Sequence, residues 1–384
     1  MKQKLKLFLK GILVMLLLAM KSLPCNAIGA YGAVDFNRLT NRNGLSNSQV
    51  NAIFKDQKGY VWFGTQSGLD RFDGFRMKAF LYDDGNPNSI PNNSVDEIQQ
   101  AINGSLWIHT GVGYCIYQYD KERFDRKPEE WLKTIGVDGP PYKLLIDSKK
   151  NMWMSVYGQG IYFVDVKNMT AFLFPFSKTK SRSSLPDYQV SCIREDNGQA
   201  VVTFDNGVIC RLDGYAQQVV WMDRFILNNR LSTDHSVFTF VDSKNNYWVN
   251  TNLGIYVYHK NLKKWFAGAK GYLATFGFDV PAYPGRKVFI RDMARDKQGH
   301  MWIATDHNGL IYLDYAKKIC RQFMYNPNDK GSISDNSLPE LYVDDNDALW
   351  VGSYKNGVNY YSASSTKFYT IPLGDVCTIT QDLN

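Results

Sequence analysis

A thirteen-residue segment, Asp56-Gln-Lys-Gly-Tyr-Val-Trp-Phe-Gly-Thr-Gln-Ser-Gly68, returns in degraded form along the chain. Its tryptophan, Trp62, recurs as Trp107, Trp153, Trp248, Trp302 and Trp350, and a further copy carries Val201 in the same place. The intervals between these seven positions are 45, 46, 48, 47, 54 and 48 residues. A glycine follows each by six or seven residues, at Gly68, Gly113, Gly160, Gly207, Gly254, Gly309 and Gly357. Units of this length cannot each bury an apolar face alone, so they must stack on one another.

Within the first copy the pattern reads as four short strands. Residues 50–55 form an apolar strand, and 56–59 a turn closed by a glycine that supplies positive φ. A second strand over 60–65 meets a short loop ending in Gly68, then strands over 69–73 and 76–82 follow. A polar connection over 83–94 leads to the next unit, and helical periodicity is nowhere sustained over three turns. The 55 aromatic residues among 384 favour pleated surfaces over helices. Four strands per unit, seven times over, predict an all-β fold: a seven-bladed β-propeller of four-stranded antiparallel blades, spanning 28–371. The repeated tryptophans lie mid-strand and are expected to pack between blades; at Val201, either Phe204 or Trp221 is expected to fill the missing volume or the fourth blade to be looser. The acidic turns, including Asp344-Asp-Asn-Asp347, lack the closing Glu of a calcium loop and are expected to be tight turns with no metal.

The two ends carry their own signals. Lys2, Lys4, Lys6 and Lys10 precede an apolar run over 11–20, and Cys25-Asn26-Ala27 offers a small residue at the cleavage point. Residues 1–27 are therefore expected to be an export signal peptide; an uncleaved anchor is the alternative. Without them 39 basic face 37 acidic side chains, so no charge excess asks for nucleic acid as partner. Cys115, Cys192, Cys210, Cys320 and Cys377 form no C-x-x-C pair and are expected to be mostly buried single thiols. Phe36-Asn-Arg-Leu-Thr40 parallels the fourth strand of the first unit and is expected to complete the last blade; 367–371 is the competing candidate. Val376-Cys-Thr-Ile-Thr-Gln-Asp382 matches the opening of the first unit, so 372–384 is expected to begin a further repeat of a longer protein, or else to be a stray strand.

Loops joining second and third strands gather on one face of a propeller. Here they carry Gln66, Tyr157, Gln159, Asp205, Asn252, Asp306, His307, Tyr354 and Lys355, which are the candidate ligand-binding residues. Aromatic rings stack on the C–H faces of sugars, and amides and acids bond their hydroxyls. No catalytic residue is assigned and no cofactor is implied. His109, His235, His259, His300 and His307 show no metal-ligand spacing, and no G-x-S-x-G elbow is present. His300 and His307 are expected to be solvated at opposite ends of one strand.

Three pieces carry a family resemblance: Asn43-Gly-Leu-Ser-Asn-Ser-Gln-Val-Asn-Ala-Ile, Asp56-Gln-Lys-Gly-Tyr-Val-Trp-Phe-Gly-Thr and Gly68-Leu-Asp-Arg-Phe-Asp-Gly. Over residues 34–384 the chain resembles the two-component regulator propeller repeats of Bacteroides-type hybrid sensor histidine kinases. The resemblance implies two successive propellers and a β-sandwich in the periplasm, then a membrane helix, kinase, receiver and DNA-binding module. It implies an oligosaccharide ligand from polysaccharide breakdown, a second propeller and downstream sensor domains as partners, and homodimerisation of the full-length protein. This chain shows neither a phospho-acceptor His in a helical pair nor a glycine-rich ATP loop, so it has no residues to perform kinase chemistry. A propeller enzyme of lyase or glycosidase type, and a purely structural or dimerising propeller, are the competing readings.

Overall fold

Seven four-stranded antiparallel sheets follow one another along the chain, and each runs innermost to outermost in sequence order except the last. The computed structural model describes residues 34–179, 181–234, 236–279 and 288–362. The expected signal peptide, the extra repeat at 372–384, Cys377, His235 and the competing closing segment 367–371 lie outside the described residues. The first blade pairs Val50–Lys55, Val61–Thr65, Gly68–Phe72 and Met77–Phe80 in order, within a residue or two of the strands expected from sequence. Short helices, Pro128–Thr134, Phe225–Asn228 and Ala269–Ala274, occupy connections between blades and stay within two turns. The fold is the expected seven-bladed β-propeller.

The repeat is written by one hydrogen-bonded unit. Asp56 Oδ1 accepts from the backbone N–H groups of Lys58 and Tyr60 at 2.8 and 3.0 Å, which shapes the turn. Its Oδ2 accepts from Trp62 Nε1 at 2.6 Å, so the same carboxylate anchors the indole six residues on. Asp147 and Trp153 (3.2 Å), Asp242 and Trp248 (3.0 Å), Asp296 and Trp302 (3.3 Å), and Asp344 and Trp350 (3.2 Å) repeat the bond. The turn carboxylates are thus occupied by the fold itself, and Asp344 also takes Asn346 N and Ala348 N, as the tight-turn reading expects.

Trp62, Trp107, Trp153, Trp248 and Trp350 of the repeat each face the following blade. Trp62 is packed with Ile98, Leu106 and Tyr117 of the second blade, and Trp107 with Leu144, Met152 and Tyr162 of the third. Trp350 meets Ile53 and Phe63 of the first blade, which carries the packing across the ring seam. Each indole is at most 7 % exposed. Val201 is fully buried, and its missing volume is taken by Ile226, Val237, Tyr247 and the partly buried Trp221. Phe204, the other residue expected to fill that space, belongs instead to the cluster around Trp153. With no indole present, Asp196 accepts from Tyr247 Oη at 2.5 Å and pairs with Lys260 Nζ at 2.6 Å, both from the fifth blade.

The N-terminal strand closes the ring as expected. Asn37–Leu39 pairs antiparallel with Val358–Tyr361 as the outer strand of the seventh blade, with Asn37 opposite Tyr360 and Leu39 opposite Val358. Phe36 and Leu39 are buried there. Gly357 has φ +75°, and a Cβ on it would lie 2.1 Å from Leu39 O, so this corner admits only glycine. Cys115, Cys192 and Cys210 are buried free thiols and Cys320 is half-buried; burial pushes the Cys210 thiol up to about 12.

Candidate functional site: the loop face and the central channel

The loops between second and third strands are held by a hydroxyl that recurs at the end of the second strand. Thr65, Thr110, Thr251, Thr305 and Ser353 each donate across the hairpin to a glycine carbonyl, at 2.6–3.1 Å. This bond fixes the base of five of the seven loops and leaves the intervening side chains to the surface.

Those side chains divide into four groups. Gln159 and Asn252 are held by the fold: Gln159 accepts from Tyr162 Oη at 2.6 Å and donates to Asp138 O, and Asn252 exchanges hydrogen bonds with Thr233. Around the third and fourth blades, exposed Tyr157 stacks on Tyr142 with ring centroids 3.9 Å apart, and the Asp205 charge acts on the Tyr142 hydroxyl. At the sixth and seventh blades, Asp306 pairs with Arg291 at 2.5 Å and with His307 Nδ1 at 2.8 Å. The Arg291 guanidinium also lies over the Tyr354 ring, 5.9 Å from its centroid. Burial pushes the Asp306 carboxyl up, but bonds from Arg291 and Ser337 with the charges of Arg291 and His307 outweigh it and hold it below its usual value. Gln66 and Lys355 are exposed, with no side-chain hydrogen bond among the described residues.

His307 is exposed as expected, but His300 is not simply solvated. It is half-buried between two carboxylates, with Nδ1 2.9 Å from Asp296 and Nε2 3.5 Å from Asp314. It sits at the start of the strand Met301–Asp306, at the end opposite His307, because its backbone N–H is the amide that Asp296 caps in the repeat turn.

Two further features were not anticipated from sequence. The innermost strands enclose a cavity of about 380 Å³ lined by Asp96, Glu97, Lys143, Arg194, Asp292 and Glu340 among apolar neighbours. Register pairing puts Glu97, Lys143 and Asp292 at the same step of the innermost strand as Ala52, each just after a bulge, and Glu340, just before the strand Leu341–Val343, accepts at its carbonyl from the Gly352 N–H at 3.0 Å. Burial pushes the Glu340 carboxyl well above the carboxylate range, and the neighbouring Asp292 adds to it. Burial raises Asp292 too, against the attraction of Arg194. The available signal was a charged residue at a step that is Ala52 and Cys192 in other blades. The second feature is a cavity of about 580 Å³ at the ring seam, where Arg38, Arg42 and Lys355 converge.

Two segments, 44–67 and 284–307, match the two-component regulator propeller repeat. A histidine kinase of Formosa agariphila is 27 % identical over 298 residues, which is 72 % of this chain and 19 % of that protein. The extracellular domain of a hybrid two-component system of B. thetaiotaomicron superposes with TM-score 0.65 at 20 % identity, over 86 % of this chain and 42 % of that one. A second such domain from the same organism gives TM-score 0.61 at 18 % identity, over 87 % and 40 %. This chain therefore spans about a fifth of the kinase and two fifths of the extracellular domains. Among the described residues no helix is long and apolar enough to cross a membrane.

Proposed function

We propose that this propeller is a periplasmic ligand-sensing part of a hybrid two-component sensor, and that its loop face helps to recognise an oligosaccharide released from a polysaccharide. The observation that carries the reading is the convergence on one face of rings and acids: exposed Tyr157 near Asp205, and half-buried Tyr354 and exposed His307 beside Asp306, which Arg291 holds. That combination offers stacking surfaces and directional acceptors to a hydroxylated ligand. The repeat match and the likeness to extracellular sensor domains support the sensing role. Transmission of the bound state belongs to partner domains outside this chain: a second propeller, downstream sensor domains and a homodimer partner.

A catalytic reading would rest on His307 against Asp306. The His307 side chain is 75 % exposed, and among the described residues no Ser, Thr or Cys side chain is bonded to its ring, so the pair lacks the nucleophile of a triad. Calorimetric titration of the purified chain with a panel of neutral and acidic oligosaccharides is the test. Binding of one member, weakened in Tyr157→Ala or Tyr354→Ala, is the expected result. Turnover of a glycan without measurable binding by the loop face would overturn it in favour of an enzyme.

A further inference from the structure

The cavity at the ring seam differs from the rest of the loop face in charge. Three elements distant in sequence build it: the closing strand with its following 3₁₀ turn Asn41–Asn43, the connection from the sixth to the seventh blade, and the hairpin loop of the seventh blade. They bring Arg38, Arg42 and Lys355 to its wall, against a single carboxylate, Asp335. Beyond residue 27 the whole chain has only two more basic than acidic side chains, so a pocket with an excess of two positive charges is a local concentration. Arg38 spends one nitrogen on Ser332 O at 2.9 Å, while exposed Arg42 and Lys355 have no acidic partner among the described residues.

A second, independent observation lies in the cavity wall. Ser334 is 4 % exposed, and its hydroxyl has no hydrogen-bond partner among the described residues. The residue is held from both sides of its backbone, with its N–H donating to Asn359 Oδ1 at 2.9 Å and its carbonyl accepting from Asn356 Nδ2 at 2.9 Å. A buried hydroxyl left without a partner costs free energy, and an acceptor-rich ligand would relieve that cost.

We propose that this seam cavity binds an anionic saccharide, the carboxylate or sulfate facing Arg38, Arg42 and Lys355. Such groups are matched by guanidinium donors, and sugar hydroxyls by the Asn and Ser side chains that complete the wall. The inference rests on the oligosaccharide-sensing reading and narrows it to acidic sugars. It also carries a structural consequence, because a ligand touching Arg38 and Lys355 at once bridges the closing strand and the blade it closes. Binding therefore stabilises the ring seam.

The test uses the full chain, with digalacturonate, a disaccharide sulfate and neutral lactose as calorimetric probes. At least one anionic probe is expected to bind roughly tenfold or more tightly than lactose, to lose several-fold affinity as salt rises from about 0.05 to 0.3 M, and to raise the melting temperature. Which of the two binds separates carboxylate from sulfate. Arg42→Gln/Lys355→Gln should keep the ligand-free melting temperature and abolish the preference for charge. Ser334→Ala should match or exceed the ligand-free stability of the parent while weakening the anionic probe several-fold. Equal binding of lactose and both anions, or no effect of the double substitution, overturns the proposal. If a neutral glycan binds and ignores the double substitution, this inference fails and the sensing reading stands; if no glycan of either kind binds, both fail.

Discussion

One turn carboxylate, present in six of the seven blades, does more for this fold than its size suggests. Asp242 accepts from two backbone amides, from Trp248 Nε1, and from the hydroxyls of Tyr272 and Tyr315, all inside the protein. Asp242→Ala would leave those donors buried without an acceptor, at an expected cost of about 3–5 kcal/mol in urea denaturation. A cost below about 1 kcal/mol would show that the tyrosines find other partners. Val201→Trp is expected to destabilise by about 1–3 kcal/mol, because Trp221, Ile226 and Tyr247 already occupy the indole's volume. The recurring Trp and Asp were visible in the sequence, and their packing followed from their period. Trp221 was one of two residues expected to fill the space beside Val201, but nothing in the sequence chose it over Phe204, since it comes from the outer strand of its own blade. Arg38 and Arg42 were not legible as site residues for a related reason: they reach the same face from the closing strand and its turn, not from the hairpin loops that mark it in the sequence.

At the scale of the element, the closing strand decides whether the ring is one body. Removing residues 28–40 would bare the edge of Val358–Tyr361 and expose the surfaces that Phe36 and Leu39 cover. Loss of those two buried side chains alone is worth about 3–6 kcal/mol. A lower melting temperature and concentration-dependent aggregation are expected in light scattering. Unchanged stability would mean that another segment takes the place of this strand. The sequence parallel between Phe36–Thr40 and the fourth strand of the first unit was enough to foresee the pairing. The channel was harder to foresee, because its charged step emerges only when a bulge shifts the innermost strand by one residue, which reverses which side chains face inward.

For the molecule as a whole, the channel is a store of unfavourable charge. Glu340, Asp292 and Glu97 share it with Arg194 and Lys143, and the raised carboxyl of Glu340 means that ionisation is disfavoured in the folded state. A carboxyl whose folded value lies above its unfolded one binds protons more tightly when folded, so its contribution is full at low pH and is lost as pH rises. Glu340→Gln is therefore expected to raise the melting temperature at pH 8, with the gain shrinking toward pH 4.5 where the parent carboxyl is protonated. A pH-independent difference in scanning calorimetry would assign the effect to packing instead. The seam has a mechanical meaning too. Since Asn37 lies opposite Tyr360, the chain enters and leaves the closing pair side by side at the same end. Tension applied through the two ends would pull that pair open from its mouth and load its few backbone bonds in succession rather than together. The ring is then a latch that yields to a weak pull along its own chain while its interior blades, tied on both flanks, stay shut.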